Sequence, residues 1–206
     1  MLLVLHAGRQ PHRHKLVVAG NHDLTFDPDF YNSPQGHARW HKKCGKQDVP
    51  AEGAAALLTN ARVLQSEAIE IEGVRFYGES RHPIIPRMQM AWQRPPEDLD
   101  AVWDVVPATP PIDVLLSHCP PYGVLDRLFV GKRVGDPALR RAVERIRPQF
   151  HCFGHIHEQY GVQQAKGGSG PLANTTFFNA TSVSLTRQLG AGRAIVFDVV
   201  PREKVE

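Results

Sequence analysis

The sequence predicts an α/β fold whose strand ends carry the chemistry, on three observations. Apolar runs at Lys15–Ala19, Ile112–Leu116 and Phe150–Phe153 read as buried parallel strands, continuous rather than alternating. An amphipathic segment at residues 136–147 separates the last two, the strand–helix–strand order of a parallel sheet. Each run closes on glycine or serine with a histidine just beyond it, in Gly20-Asn21-His22, Ser117-His118 and Gly154-His155. Ligands of open α/β sheets gather at the carboxyl ends of strands, so these loops are expected on one edge.

In chain order, Met1–Leu5 is a short apolar run expected to form a strand ending at Gly8. The polar stretch 28–50 is expected to hold a helix, and Ala54–Leu58 a short one. Strands are expected at Arg62–Leu64, Ala68–Ile71 and Val74–Tyr77, the last two forming a hairpin about Glu72-Gly73. Residues 80–111, with Pro83, Pro86, Pro95, Pro96, Pro107, Pro110 and Pro111, read as a long functional loop that lines a pocket, with Trp92 or Arg81 touching substrate. Over 136–147, Asp136 caps, Pro137 suits the first helical position, and Leu139, Ala142, Val143 and Ile146 make one apolar face. Arg140, Arg141, Arg145 and Arg147 then fall on the solvent side and the C-terminal end, as a solvated face rather than a nucleic-acid patch. Phe177–Ala180 and Ala194–Val200 are expected as the last strands, and Gly167-Gly168-Ser169-Gly170 as a surface loop. With no repeat and no second core, residues 1–206 are expected to form a single domain.

Composition excludes several classes. A net charge of +3 without a concentrated basic stripe argues against a nucleic-acid polymer as partner. No apolar run approaches the ~20 residues of a membrane span, so no membrane partner is expected. Cys44, Cys119 and Cys152 make neither a disulfide framework nor a CxxC zinc motif, which suits a reducing cytoplasmic compartment. The chain has 11 histidines, and those at strand ends are the candidates for metal ligation.

The three loops read Gly20-Asn21-His22-Asp23, Ser117-His118-Cys119-Pro120-Pro121 and Gly154-His155-Ile156-His157-Glu158. Amide oxygen and imidazole donors suit divalent transition metals such as Mn, Fe or Zn. An extended strand end would put His155 and His157 on the same side, and Gly154 would let the backbone approach the site closely.

This order of motifs resembles the calcineurin-like metallophosphoesterases, and the longer match Val18–Asp27 resembles their small metallophosphoesterase-domain subfamily. Leu57-Leu58-Thr59-Asn60, Tyr77-Gly78, Phe153–Gly161 and Asn179-Ala180-Thr181 add to the resemblance, which covers about residues 15–200. It implies a β-sandwich flanked by helices (α/β/β/α) with a two-metal site at the strand ends. It implies that Asn21, His118 and His155 hold one metal and His157 belongs to the other. His22 would be catalytic, beside the leaving group and oriented by Asp23. The implied activity is a phosphoesterase, a phosphodiesterase on small phosphate esters such as cyclic nucleotides, acting by attack of a metal-bound hydroxide.

The family pattern also contains an Asp-x-His strand end and a Gly-Asp strand end, and neither occurs here. Gly8 is followed by Arg9-Gln10-Pro11-His12, and only residues 9–14 separate it from the next strand, too few for a parallel crossover. Without the bridging carboxylate two ions held close together repel, so the dinuclear site is expected to be crippled. The expectation is an N-terminally incomplete domain from a truncated or mis-spliced gene model. The alternative function is an impaired family member that binds ligand or metal without turnover. His12 and His14 are not at spacings that make them substitute ligands.

Overall fold

The computed structural model describes residues 9–44, 48, 54–164, 170–183 and 194–202. The expected strand at Met1–Leu5 and most of the expected glycine-rich loop at 167–170 lie outside the described residues.

The described residues hold ten strands: β1 (Leu16–Val17), β2 (Arg62–Val63), β3 (Glu67–Ile71), β4 (Val74–Glu79), β5 (His82–Pro83), β6 (Gln93–Arg94), β7 (Val114–Ser117), β8 (Phe150–Phe153), β9 (Gly161–Gln164) and β10 (Thr176–Asn179). Their α-helices are α1 (Pro28–Tyr31), α2 (Pro34–Cys44), α3 (Pro96–Asp104) and α4 (Pro137–Ile146). A six-stranded sheet runs β3-β4-β7-β8-β10-β9, parallel through its centre with antiparallel edges β3 and β9. The α/β class is therefore as expected. Two parallel strands, β1 and β2, make a separate small sheet. It lies on β4, where a Cβ on Gly78 would fall 2.2 Å from Leu64 and 3.2 Å from Val18.

Local chemistry explains the elements. The β3–β4 hairpin turns on Glu72 and Gly73 at φ 51° and 81°, the paired positive φ of a type I′ turn, with Ile71 opposite Val74. Helix α4 begins where the Asp136 carboxylate accepts the Ala138 N–H at 2.8 Å, and ends at Arg147 in the left-handed region. Its arginines are tied down: Arg140 pairs with Glu144, Arg141 with Asp100, and Arg145 donates to the Trp103 and Val106 carbonyls.

Both α3 and α4 pack on one face of the large sheet. Leu99, Val102, Trp103, Leu139, Val143 and Ile146 meet Tyr77, Leu115, Phe153 and Phe177 in the main core. Trp103 donates to Asp136 Oδ2 at 2.9 Å, joining the two helices.

Two expectations change. Residues 80–111 are not one loop, for they hold β5, β6 and α3. Pro95-Pro96 marks a helix start, with Pro96, Glu97 and Asp98 in the first turn, where a missing N–H and acidic groups are favourable. Residues 194–200 form no strand; that segment lays Phe197 on Phe178 at 4.4 Å and against Phe150 at 4.7 Å. Its alternating apolar residues cover the sheet without joining a ladder.

Candidate metal centre

The chain turns sharply after β1. Asp23 N–H donates to the Gly20 carbonyl at 2.9 Å, and Asp23 Oδ2 accepts the Gly20 N–H at 2.7 Å. That β-turn, closed a second time by the Asp23 carboxylate, buries Asn21 and leaves His22 exposed. Behind the turn sits a small core of Ala19, Leu24, Ala91 and Trp92, with Phe26, Phe30 and Trp40 against it.

His118 follows β7. Its N–H donates to the Glu79 carbonyl, and its own carbonyl accepts the Gly154 N–H at 3.1 Å, so the β4, β7 and β8 ends are laced together. Ser117 Oγ donates to the Cys119 carbonyl at 2.8 Å and lies 2.8 Å from His151 Nε2. The His118 ring also lies against the first turn. A Cβ on Gly20 would sit 2.6 Å from His118 Cε1 and 2.7 Å from Nδ1.

His155 has φ 69°, and the Ile156 N–H reaches back to the Gly154 carbonyl at 2.8 Å. This tight turn replaces the extended strand end expected for His155-Ile156-His157, and His157 instead opens a 3₁₀ turn through Gln159. A left-handed conformation in a residue with a Cβ is strained and persists because its surroundings hold it. The clamp is Asn179, whose Nδ2 donates to the Ile156 carbonyl at 2.9 Å while its Oδ1 accepts the Thr181 N–H. A Cβ on Gly154 would lie an ordinary 4.0 Å from Thr181, so no protein atom crowds that glycine. Of the two loop glycines at the cleft, Gly20 is the crowded one.

The three turns meet in one cleft of about 470 Å³, lined by Asn21, His22, His118, His155 and His157 together with Asp23, Ile85, Met88 and Glu158. All five residues singled out in the sequence therefore face a common space, though not equally. Asn21 Oδ1 lies 3.1 Å from His118 Nε2, and the Asn21 N–H points at that same nitrogen from 3.2 Å. The His118 and His155 ring centroids are 4.5 Å apart. His157 is exposed at the cleft.

One further histidine is present. His82, 1% exposed, has its ring centroid 5.2 Å from His118 and 5.4 Å from His155. Its Nδ1 faces the Pro83 carbonyl at 2.9 Å and its Nε2 the Ala91 carbonyl at 3.3 Å. It packs behind the pair rather than offering a lone pair to the cleft. The signal that picked out the other loops, a histidine just past a strand end, marks it too, since β4 ends at Glu79.

Burial holds His118 well below the ordinary imidazole range and pushes His155 down to about 3, and the neighbouring histidines act in the same direction. Both rings are thus neutral at pH 7, the state in which imidazole ligates a metal. Two neutral imidazoles and an amide oxygen converging from separate loops fit one divalent transition ion. In the metal-free chain His118 Nε2 is engaged with Asn21, either accepting its N–H or donating to its Oδ1, so a cation held there would take the place of that hydrogen bond.

A second ion finds less. The cleft's carboxylates bind backbone: Asp23 accepts from Gly20, and Glu158 from the Phe129 N–H at 3.4 Å. Among the described residues no third imidazole, thiol or carboxylate joins His118 and His155 with all ligand atoms within 4.8 Å. His14 lies elsewhere, 3.8 Å from Glu72. Arg81 and Trp92 do not line the cleft. Arg81 wraps the fully buried Glu79 carboxylate through its backbone N–H, Nε and guanidinium, and Trp92 donates its backbone N–H to Asp27 Oδ2 at 2.7 Å. Ile85 and Met88 are the residues of the 80–111 segment that reach the cleft.

Comparison with known proteins bears on the fold and the family. A family model for calcineurin-like phosphoesterases matches residues 2–159. A UPF0046 protein of Caenorhabditis elegans is 39% identical over 189 residues, covering 92% of this chain and 58% of that protein. The human metallophosphoesterase domain-containing protein 1 is 34% identical over 194 residues, covering 88% of this chain and 54% of its own length. The chain thus spans about half the length of these curated relatives. A crystal structure superposes with TM-score 0.51 at 18% identity, over 81% of this chain and 56% of that one, a likeness of fold alone. With histidine loops in family order around one cleft and a family match over most of its length, this chain belongs to the calcineurin-like phosphoesterases.

Proposed function

We propose that the cleft binds one divalent ion through Asn21, His118 and His155 and hydrolyses small phosphate esters, with phosphodiesters such as cyclic nucleotides as the substrate class. The observation that carries this reading is the convergence of these three donors, from loops far apart in sequence, on an open cleft edged by His22 and His157. When bound, a divalent ion there supplies Lewis acidity toward a phosphoryl oxygen and acidifies coordinated water. The protein's own residues do the rest. Gly20 and Asn179 fix the positions of His118 and His155. Exposed His22 stands where it can give a proton to a leaving oxygen, and His157 at the rim faces the substrate's phosphate rather than the ion pair expected from the family. Ile85 and Met88 supply an apolar wall to the cleft for a substrate's organic portion.

A second reading is binding without turnover, and the cleft's carboxylates favour it because both are engaged with backbone N–H groups. One experiment separates the two. Metal content and hydrolysis of a chromogenic phosphodiester are measured for the parent chain, His155→Ala and His22→Ala. The enzyme reading expects His155→Ala to lose one ion per chain and all turnover, and His22→Ala to keep the ion while losing about 10²-fold in rate. Ion binding lost in His155→Ala without turnover in the parent establishes the second reading. Unchanged ion content in His155→Ala overturns both.

A further inference from the structure

Helix α2 carries histidines outside the cleft. His37 and His41 are four residues apart, so their side chains rise from one helix face. Their rings are tilted together at 4.1 Å between centroids, and the two Nε2 atoms are 2.8 Å apart. Asp48, beyond the end of α2, places Oδ1 3.2 Å from His41 Nε2 and 3.6 Å from His37 Nε2. Among the described residues this is the only histidine, cysteine or carboxylate triad whose ligand atoms all lie within 4.8 Å of one another. None of the three lines the cleft.

We propose that His37, His41 and Asp48 form a second, structural metal site that takes a zinc-like divalent ion. The three separations define a triangle with a circumradius of about 1.9 Å. An ion about 0.8 Å above that plane sits about 2.05 Å from both nitrogens and the oxygen, within the bond lengths zinc makes to imidazole and carboxylate. The angles it subtends are then about 85° to 125°, bracketing the tetrahedral value, with a fourth position left for water. At these separations the heavy atoms already lie in bonding range, and binding would displace the proton held between the two Nε2 atoms, to Nδ1 or to solvent. Two imidazoles and one carboxylate are a borderline donor set, which selects Zn, Ni or Cu over Mg or Ca.

The ion would join α2 to the chain that follows it. Helix α2 also presents Trp40 to the small core of Leu24 and Trp92 behind the Asn21-His22 turn. A staple there stabilises the fold on the flank of the cleft while taking no part in its chemistry. It depends on neither the cleft's ion nor its activity.

The test uses the full chain with Zn(II) and Co(II) as probes. Zinc capacity, the Co(II) visible spectrum and thermal unfolding are compared for the parent, His37→Gln/His41→Gln, Asp48→Asn, His118→Ala/His155→Ala, and the two paired changes combined. The expected result is that His37→Gln/His41→Gln lowers capacity by one ion per chain whether or not the cleft histidines are present. The His118→Ala/His155→Ala chain should still bind one Co(II) with the intense spectrum of a tetrahedral site and gain thermal stability with zinc. The combined variant should do neither. Asp48→Asn, which leaves the helix untouched, should weaken that site about tenfold or more. Unchanged capacity in His37→Gln/His41→Gln overturns the proposal, as does the absence of any ion in His118→Ala/His155→Ala. Loss of an ion only on changing His37 and His41 keeps this proposal and defeats the cleft reading.

Discussion

Gly20→Ala is the sharpest perturbation of the cleft. The added methyl would lie 2.6 Å from His118 Cε1 and 3.3 Å from its Nε2. Ordinary carbon contacts need about 3.5–4.0 Å, so the ring or the turn must give by about 1 Å. The ring is backed by the buried His82, and its backbone is laced to Glu79 and Gly154, which leaves little room to retreat. A shift of 1 Å takes Nε2 away from its 3.1 Å approach to Asn21 Oδ1 and spoils the shared ion position. Ligand constellations tolerate about 0.5 Å, so affinity for the ion proposed in the cleft should fall about 10- to 100-fold. Overpacking should also cost about 1–3 kcal/mol of stability. Metal titration and urea unfolding measure both quantities. Gly154→Ala is the matched control, since its Cβ meets Thr181 at 4.0 Å and should leave affinity within about threefold. Parental affinity in Gly20→Ala, or equal damage from Gly154→Ala, would refute the reasoning.

Other outcomes follow from single contacts. In the metal-free chain stability should fall with pH: burial holds the folded His151 down at about 3, so the unfolded chain takes up its proton first as pH drops below about 6.5. The His151 share is intact above that value and is lost toward pH 3 at up to about 1.4 kcal/mol per pH unit. Urea unfolding from pH 7.5 to 5 should therefore show a shallower slope in His151→Leu, and an identical slope counts against the assignment. Glu79→Gln leaves Arg81 facing a neutral amide in a buried network with Ser66 and Gln65, and should cost about 3 kcal/mol, read from the urea midpoint. Asn179→Ala unclamps the Ile156 carbonyl and the Thr181 N–H, and should cost about 1–3 kcal/mol and weaken metal binding, since the His155 turn depends on it. A loss of stability with unchanged metal affinity would show that the turn holds itself.

Much of the fold could be read locally. Strand β8 falls where its apolar run predicts, helix α4 differs by a residue at each end, and the Glu72-Gly73 hairpin has the register its alternation implied. These signals are short-range: periodicity, a capping aspartate, a glycine at positive φ. Helix α3 was hidden because Pro95-Pro96 looks like a break until Leu99, Val102 and Trp103 are seen to be buried together. Residues 194–200 show the converse, for an alternating pattern records which side chains are covered and not whether the backbone pairs.

The chain by itself determined the α/β class and marked the strand-end loops, because motif, spacing and burial pattern lie along the sequence, and the family resemblance pointed to Asn21, His118, His155 and His157 within those loops as candidate donors. It also held Asp136 and Pro137 as a helix start, and Asn179-Ala180-Thr181 as a motif without a stated task. Only the tertiary structure decided which donors meet. His155 sits in a strained turn and His157 turns out to the rim, because Asn179 pulls the Ile156 carbonyl from a neighbouring strand. His82 joins the cluster from a segment read as loop, and Arg81 is consumed by Glu79. Whether a histidine ligates, packs or pairs depends on what approaches its ring nitrogens, and those groups come from residues distant in the chain.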